Sequence, residues 1–245
     1  MAEQKSATFK ITRFDPEEGG EPYVEAFEVP LRPALTVLDG LLYIVDHLDG
    51  SLTFRLACRS AVCGSCGMYI NGRYRLACAT QVSALLPGDI WVSPLPSMRV
   101  IKDLVVDLEP FWEQYERIKP YLIRRSPVPE KELLVDPENR QSIDEMLDCI
   151  LCAICFSSCP VVWLDQRFIG PAQFVKAYRL VQDKRDEGAA ERLAIVDTTH
   201  GVWRCHTVFN CAEACPKNIN CTYSIQQLKR KAALQRLRFW TRLTR

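Results

Sequence analysis

Twelve of the 245 residues are cysteines, and they fall into three groups of four. The first is Cys58, Cys63, Cys66 and Cys78; the second is Cys149, Cys152, Cys155 and Cys159; the third is Cys205, Cys211, Cys215 and Cys221. Long cysteine-free stretches separate the groups. The N-terminal Met1–Ser6 shows neither an apolar core nor an Arg-rich amphipathic stretch, so it reads as lacking a signal or transit peptide. In a reducing compartment, clustered thiols more often bind metal or carry redox chemistry than pair as disulfides.

The first group has the spacing C-x4-C-x2-C followed by x11-C, which suits four thiolates around a flat 2Fe–2S unit. Three ligands come from one tight loop and the fourth from an adjacent strand. Gly64 and Gly67 let the backbone approach the sulfurs with its N–H groups turned inward. Structural zinc is the plainer alternative. It usually shows two short C-x2–4-C knuckles, and this spacing does not make two of them.

The second group, C-x2-C-x2-C-x3-C followed by Pro160, is the run in which the fourth cysteine of a two-cluster protein ligates the other cluster. Cys205, Cys211 and Cys215-Pro216 repeat it with the second cysteine replaced by Val208. Exchanging the fourth ligands gives Cys149, Cys152, Cys155 and Cys215 for a 4Fe–4S cluster. Cys159, Cys205 and Cys211 remain, and three thiolates with an apolar residue at the fourth place suit 3Fe–4S. Cys221 lies beyond the run and reads as a spare buried thiol, with an additional ligand as the alternative.

These groups need elements to hold them. Thr8–Phe14 and Tyr23–Val29 alternate apolar and polar residues around Glu17–Gly20, as a hairpin does. Thr36 can cap a helix through Leu48 that Gly50 ends. Asn71-Gly72 between Met68–Ile70 and Tyr74–Leu76 is a two-residue hairpin signal, and Asp89–Val92 supplies a further strand. Together they predict an α+β N-terminal domain of the β-grasp kind over residues 1–107. An extended, Pro-rich connection to about residue 140 opens a helical domain over 108–245. Within it, Ser142 and Glu145 form a capping-box pair, Pro171 begins a helix running to Glu187 and stopped by Gly188, and a last helix covers Tyr223–Trp240.

Net charge is +1, so no global field argues for nucleic acid. No apolar run approaches the ~20 residues of a membrane span. There is no G-x-G-x-x-G fingerprint and no nucleophile–base constellation. Of three histidines, His47 and His200 earn no role, whereas His206 directly follows a cluster ligand. After Glu213 the chain is free of acids. Lys229, Arg230, Lys231, Arg236, Arg238, Arg242 and Arg245 are interleaved with Leu228, Leu234, Leu237, Phe239 and Trp240. Such a tail fits either a solvated helix face or a surface for anionic lipid or an anchor subunit.

The two-iron loop, Cys149-Ile150-Leu151-Cys152-Ala153-Ile154-Cys155, Cys205-His206-Thr207-Val208-Phe209-Asn210-Cys211, Cys215-Pro216-Lys217, Phe168–Ala172 and Gly201-Val202-Trp203 together resemble the iron–sulfur subunit of succinate dehydrogenase and fumarate reductase. The resemblance spans nearly the whole chain. It implies a plant-type β-grasp ferredoxin domain followed by an all-α bacterial-ferredoxin-like domain. It also implies electron flow from the FAD of a flavoprotein subunit through 2Fe–2S, 4Fe–4S and 3Fe–4S to a quinone at a cytochrome b-type membrane anchor. The expected location is peripheral, on the cytoplasmic side of a prokaryotic plasma membrane. Pro160, Trp163, His206 and Val208 match positions beside the 3Fe–4S cluster and the quinone. Leu164 stands where many ubiquinone-using members carry a second Trp, which leaves menaquinone open, and Cys221 replaces a usual Pro. Alternatives are the reverse reaction (quinol:fumarate reduction), a soluble thiol-coupled fumarate reductase, and a metal-stabilised interaction module without redox function.

Overall fold

The computed structural model describes residues 6–17, 19–127 and 129–243, with side chains through 237. Part of the N-terminal reading (Met1–Lys5), Glu18 of the first turn, and Arg238, Phe239, Trp240, Arg242 and Arg245 of the tail lie outside the described side chains. The chain divides into two units. One runs to Leu108 and takes in Ile150–Ser158; the other comprises Glu109–Cys149 and the chain from Cys159 onward.

In the first unit β1 (Ser6–Arg13) pairs antiparallel with β2 (Tyr23–Pro30), Phe9 opposite Phe27. Inward residues of β1 alternate strictly with outward ones, as a half-buried strand requires. Helix α1 (Val37–His47) follows. Thr36 caps it by accepting from Asp39 N–H while the Asp39 carboxylate accepts from Thr36 N–H. The helix closes at Leu48, whose N–H reaches Ile44 C=O, ahead of the expected stop at Gly50. Strands β3 (Gly67–Ile70) and β4 (Arg73–Leu76) flank Asn71-Gly72, both at positive φ as a type I′ turn demands. With β5 (Ile90–Ser93) the sheet order is β2-β1-β5-β3-β4, parallel only between β1 and β5. This is the expected mixed β-grasp-like sheet. A short β6–β7 ribbon (Val100–Lys102 and Val105–Val106), not anticipated from the sequence, follows it.

Helix α1 lies against the sheet over Phe9, which is fully buried. A Cβ at Gly40 would stand 2.2 Å from Phe9 Cζ, so only glycine permits this approach. At the end of β1 the buried Arg13 guanidinium bonds Asp103 at 3.0 Å and Glu25 and Asp49 at 2.5 Å each, tying strand β2, the turn after α1 and the β6–β7 turn to one point.

The second unit is helical. The stretch read as an extended connection contains α2 (Glu109–Arg117). Pro110 falls in its first turn, where no intrahelical N–H is lost, and Phe111 and Gln114 give it a buried side. The cap of α3 (Pro137–Leu147) is Asp136, which accepts from Asn139 N–H, not the expected Ser142. Ser142 is inside the helix bonding Asn139 C=O, and Glu145 accepts from Asn220 N–H. Next come α4 (Ile154–Ser157), which belongs to the first unit, α5 (Pro160–Leu164) and α6 (Pro171–Gln182). Helix α6 ends at Gln182 rather than near Glu187, because Asp183 leaves helical geometry to pair with Arg185. Gly188 then starts α7 (Ala189–Val196) instead of stopping α6. After α8 (Asn210–Glu213), the long α9 (Cys221–Leu243) closes the chain. Helix α6, buried through Phe174, Val175, Ala177 and Leu180, packs against α2, α3, α7 and α9. Among the described residues no helix is long and apolar enough to cross a membrane.

Candidate iron–sulfur sites

The loop before β3 turns sharply. Arg59, Ala61 and Gly64 all take left-handed backbone, which tips successive N–H groups to one side. Ser60, Val62 and Cys63 N–H each point at Cys58 Sγ from 3.3 Å, and Ala61 N–H at Cys78 Sγ from 3.3 Å. Cys58 N–H donates to Cys63 Sγ at 3.5 Å. The β3–β4 hairpin returns the chain so that Ala77 N–H meets Cys66 C=O at 3.0 Å, which brings Cys78 to Cys66. All four thiols of the first group therefore share one place. The Ser65 hydroxyl, with N–H groups of Cys58 and Ser65, holds the Cys63 thiol down at about 6, while burial pushes Cys66 up to about 12. Donors converging on sulfur are the environment an anionic, thiolate-held cluster needs. At Gly64 a Cβ would lie 2.7 Å from Cys152 Cβ, so this loop and the Cys152 segment touch backbone to side chain.

The second and third groups share a local fold. Leu151 and Ala153 have φ 54° and 60°; Thr207 and Phe209, in the matching positions, have φ 60° and 69°. In each run the second left-handed residue starts a four-residue helix, α4 or α8, whose second residue is the cysteine, Cys155 or Cys211. Left-handed backbone is uncommon outside glycine and strained for a β-branched Thr, so its repetition marks one design used twice. In that frame Val208 occupies the place Cys152 holds in the first run.

In the second unit Cys159, Cys205 and Cys211 line one cavity together with Pro160, His206 and Val208. Cys159 occupies the N-cap position of α5, and burial pushes its thiol up to about 11 against the nearby Val162 and Val161 N–H groups, with Cys211 and Cys205 adding to the rise. Trp163 is not among the cavity's lining residues and stands 55% exposed on α5 beside Leu164, 83% exposed. Val208 is 52% exposed, so the side without a thiol opens outward. Cys149 and Cys215 belong to the second unit, Cys152 and Cys155 to the first. Among the described residues no three His, Cys, Asp or Glu side chains close tightly enough to hold a single metal ion. The thiol environments above fit a multi-iron cluster through their sulfur donors and the N–H groups aimed at them.

Several contributors were not singled out from sequence. Ser65 and Thr222 place hydroxyls at Cys63 and Cys211, the latter at 3.7 Å. Lys176 reaches Cys149 C=O at 3.1 Å. Lys229 and Leu228, read as part of a basic surface tail, turn inward: Lys229 donates to Cys205 C=O at 2.9 Å and Leu228 is fully buried. Arg236 pairs with Asp197 and stacks on Trp203. His200 bonds Asp165 at 2.8 Å, a structural partner.

A family described as "2Fe-2S iron-sulfur cluster binding domain" matches residues 8–113, and one described as "4Fe-4S dicluster domain" matches residues 145–219. The chain is 42% identical over 231 residues to the fumarate reductase iron-sulfur subunit of Mycobacterium tuberculosis, covering 94% of each chain. It is 40% identical over 223 residues to the succinate dehydrogenase iron-sulfur subunit of Paracoccus denitrificans, covering 90% of this chain and 86% of that one. Its fold matches a chain of the Mycobacterium smegmatis Sdh1 complex with a TM-score of 0.86 at 25% identity, over 95% of this chain and 98% of that one. With a 2Fe–2S loop and a dicluster repeat in this order, the chain belongs to the succinate dehydrogenase/fumarate reductase family as its iron–sulfur, electron-transferring subunit.

Proposed function

We propose that the chain relays electrons between the FAD of a flavoprotein partner and a membrane quinone, menaquinone or ubiquinone, at the surface of a cytochrome b-type anchor. The bound clusters supply one-electron steps between two-electron partners. Cys58, Cys63, Cys66 and Cys78 hold 2Fe–2S. Cys149, Cys152, Cys155 and Cys215 hold 4Fe–4S, by the spacing of the repeat. Cys159, Cys205 and Cys211 hold 3Fe–4S. The observation that supports the last assignment is Val208, which repeats the backbone position of Cys152 without its thiol. Pro160, His206 and Val208 line the same cavity as the three thiols, and Trp163 shares a helix with Pro160. His206, exposed at that cavity, can give or take the proton that quinone chemistry requires. In this reading the chain reaches the membrane through the anchor, peripheral on the cytoplasmic side of a prokaryotic plasma membrane.

Relatives named for succinate oxidation and for fumarate reduction match equally well, which keeps quinol:fumarate reduction as the second reading. The test is the complex purified with its membrane partners, assayed in both directions with succinate, fumarate and quinones. Succinate-dependent quinone reduction faster than the reverse supports the first reading. An intact brown complex inactive in both directions rejects both. A His206→Ala variant should slow quinone turnover by about 10²-fold while succinate still reduces the clusters; unchanged turnover removes His206 from proton transfer.

A further inference from the structure

Thr222 is the second residue of α9 and is 3% exposed. Its Oγ1 lies 3.7 Å from the buried Cys211 Sγ, within hydrogen-bonding reach of sulfur. The contact belongs to a pattern. Thr222, Gln226 and Lys229 follow one another at i, i+4 and i+7, so they share one face of α9. Gln226 Nε2 donates to Thr207 Oγ1 at 2.9 Å, and Lys229 Nζ donates to Cys205 C=O at 2.9 Å. This face therefore meets the Cys205–Cys211 loop at its start, at the left-handed Thr207, and at its last cysteine. The helix that fixes the loop also fixes where the Thr222 hydroxyl stands.

A hydroxyl both donates and accepts, so between a hydroxyl and a free thiol the proton can lie on either side. An iron-bound thiolate has no proton and only accepts. With a cluster in place, Thr222 is the donor and Cys211 Sγ the acceptor. Burial denies water the chance to replace that donor. A hydrogen bond to a ligand sulfur stabilises the reduced, more negative cluster and raises its potential. We infer that Thr222 is a positioning residue whose hydroxyl donates to the Cys211 sulfur and raises the reduction potential of the cluster held by Cys159, Cys205 and Cys211, leaving the other two clusters unshifted. This rests on the cluster assignment proposed above.

The test is a redox titration followed by electron paramagnetic resonance, with iron analysis, on the purified complex carrying Thr222→Val or Thr222→Ser. Valine keeps the shape of threonine and removes the donor. Thr222→Val should keep its iron and its three-iron signal but lower that cluster's midpoint. A tenfold change in the reduction equilibrium, 59 mV for a one-electron couple, is the expected scale. Thr222→Ser, which retains the hydroxyl, should stay near the unsubstituted complex. Thr222→Ala gives the same reading if the Val variant does not assemble. An unshifted three-iron midpoint in Val or Ala overturns the inference, since a side chain that merely packs would leave it alone. Equal lowering in Ser and Val also overturns it, by tracing the shift to the lost methyl or to repacking. So does a shift of all three midpoints together. Loss of the three-iron signal in both Val and Ala overturns it as well, by making the hydroxyl a condition of assembly. Absence of a three-iron signal from the unsubstituted complex is a different failure: it removes the cluster assignment itself.

Discussion

At the scale of single residues, Val208 carries more information than any cysteine. The thiols indicate that clusters bind; the valine is the ground on which an open corner is proposed for one of them. Because Thr207 and Phe209 repeat the left-handed backbone of Leu151 and Ala153, the Val208 Cβ starts from the same local geometry as that of Cys152. Val208→Cys should therefore complete a four-thiolate set. The expected result is loss of the oxidised three-iron paramagnetic signal and a gain of one iron per chain, with the other two clusters unchanged. Persistence of the three-iron signal at unaltered iron content would show that the repeat is one of backbone only. The spacing alone places Val208 where the first run has Cys152, and the shared backbone of the two runs repeats that placement. Spacing could not reveal Ser65, Thr222 or Lys176, since a hydroxyl or ammonium has no fixed sequence offset from the sulfur or carbonyl it meets.

At the scale of elements, legibility followed local physics. The β1–β2 hairpin, the Thr36 cap and the Asn71-Gly72 turn are decided by residues within a few positions, and they stand as read. Helix α2, the end of α6 and the start of α7 depart from the sequence reading because tertiary partners decide them: Pro110, in the stretch read as extended, occupies a helical first turn, and Gly188 starts α7 rather than stopping α6. The Gly188 turn is fixed by a buried ion pair. Arg192 meets Asp186 at 2.5 Å with both side chains fully buried, and its other N–H groups donate to the carbonyls of Lys119 and Tyr121. Removing one partner leaves an uncompensated charge, so Arg192→Met should destabilise the helical unit by about 3–5 kcal/mol. Gly40→Ala tests the other unit by overpacking: Phe9, pinned under α1, must shift, at a cost of about 1–3 kcal/mol. Both appear as lower denaturant midpoints. A Gly40→Ala protein with an unchanged midpoint would mean that the helix moves off the sheet without cost.

At the scale of the whole molecule, a near-neutral chain still holds a consistent electrostatic pattern: carboxylates placed under donors at loop junctions in both units. Asp49 is held down at about 2, first by the Ser51 hydroxyl and N–H and then by Arg13. Asp165 is held at about 2 chiefly by His200, with Arg167 adding. Glu187 is held at about 2 by Ser126 and the Arg125 N–H. Each folded value lies below the unfolded carboxylate range of about 3.9–4.3, so the unfolded chain binds more protons and stability falls as pH falls. The contribution is whole above about pH 5 and is lost as the solution approaches pH 2, where the folded groups also protonate. Urea midpoints measured from pH 7 downward should thus hold to about pH 5 and then decline. Asp49→Asn and Glu187→Gln, which keep an acceptor but cannot titrate, should start lower at neutral pH and decline less steeply, each acting on its own unit. Parallel declines in the variants and the unsubstituted chain would place the acid sensitivity elsewhere, in the loss of the clusters themselves, and iron release measured across the same range separates the two.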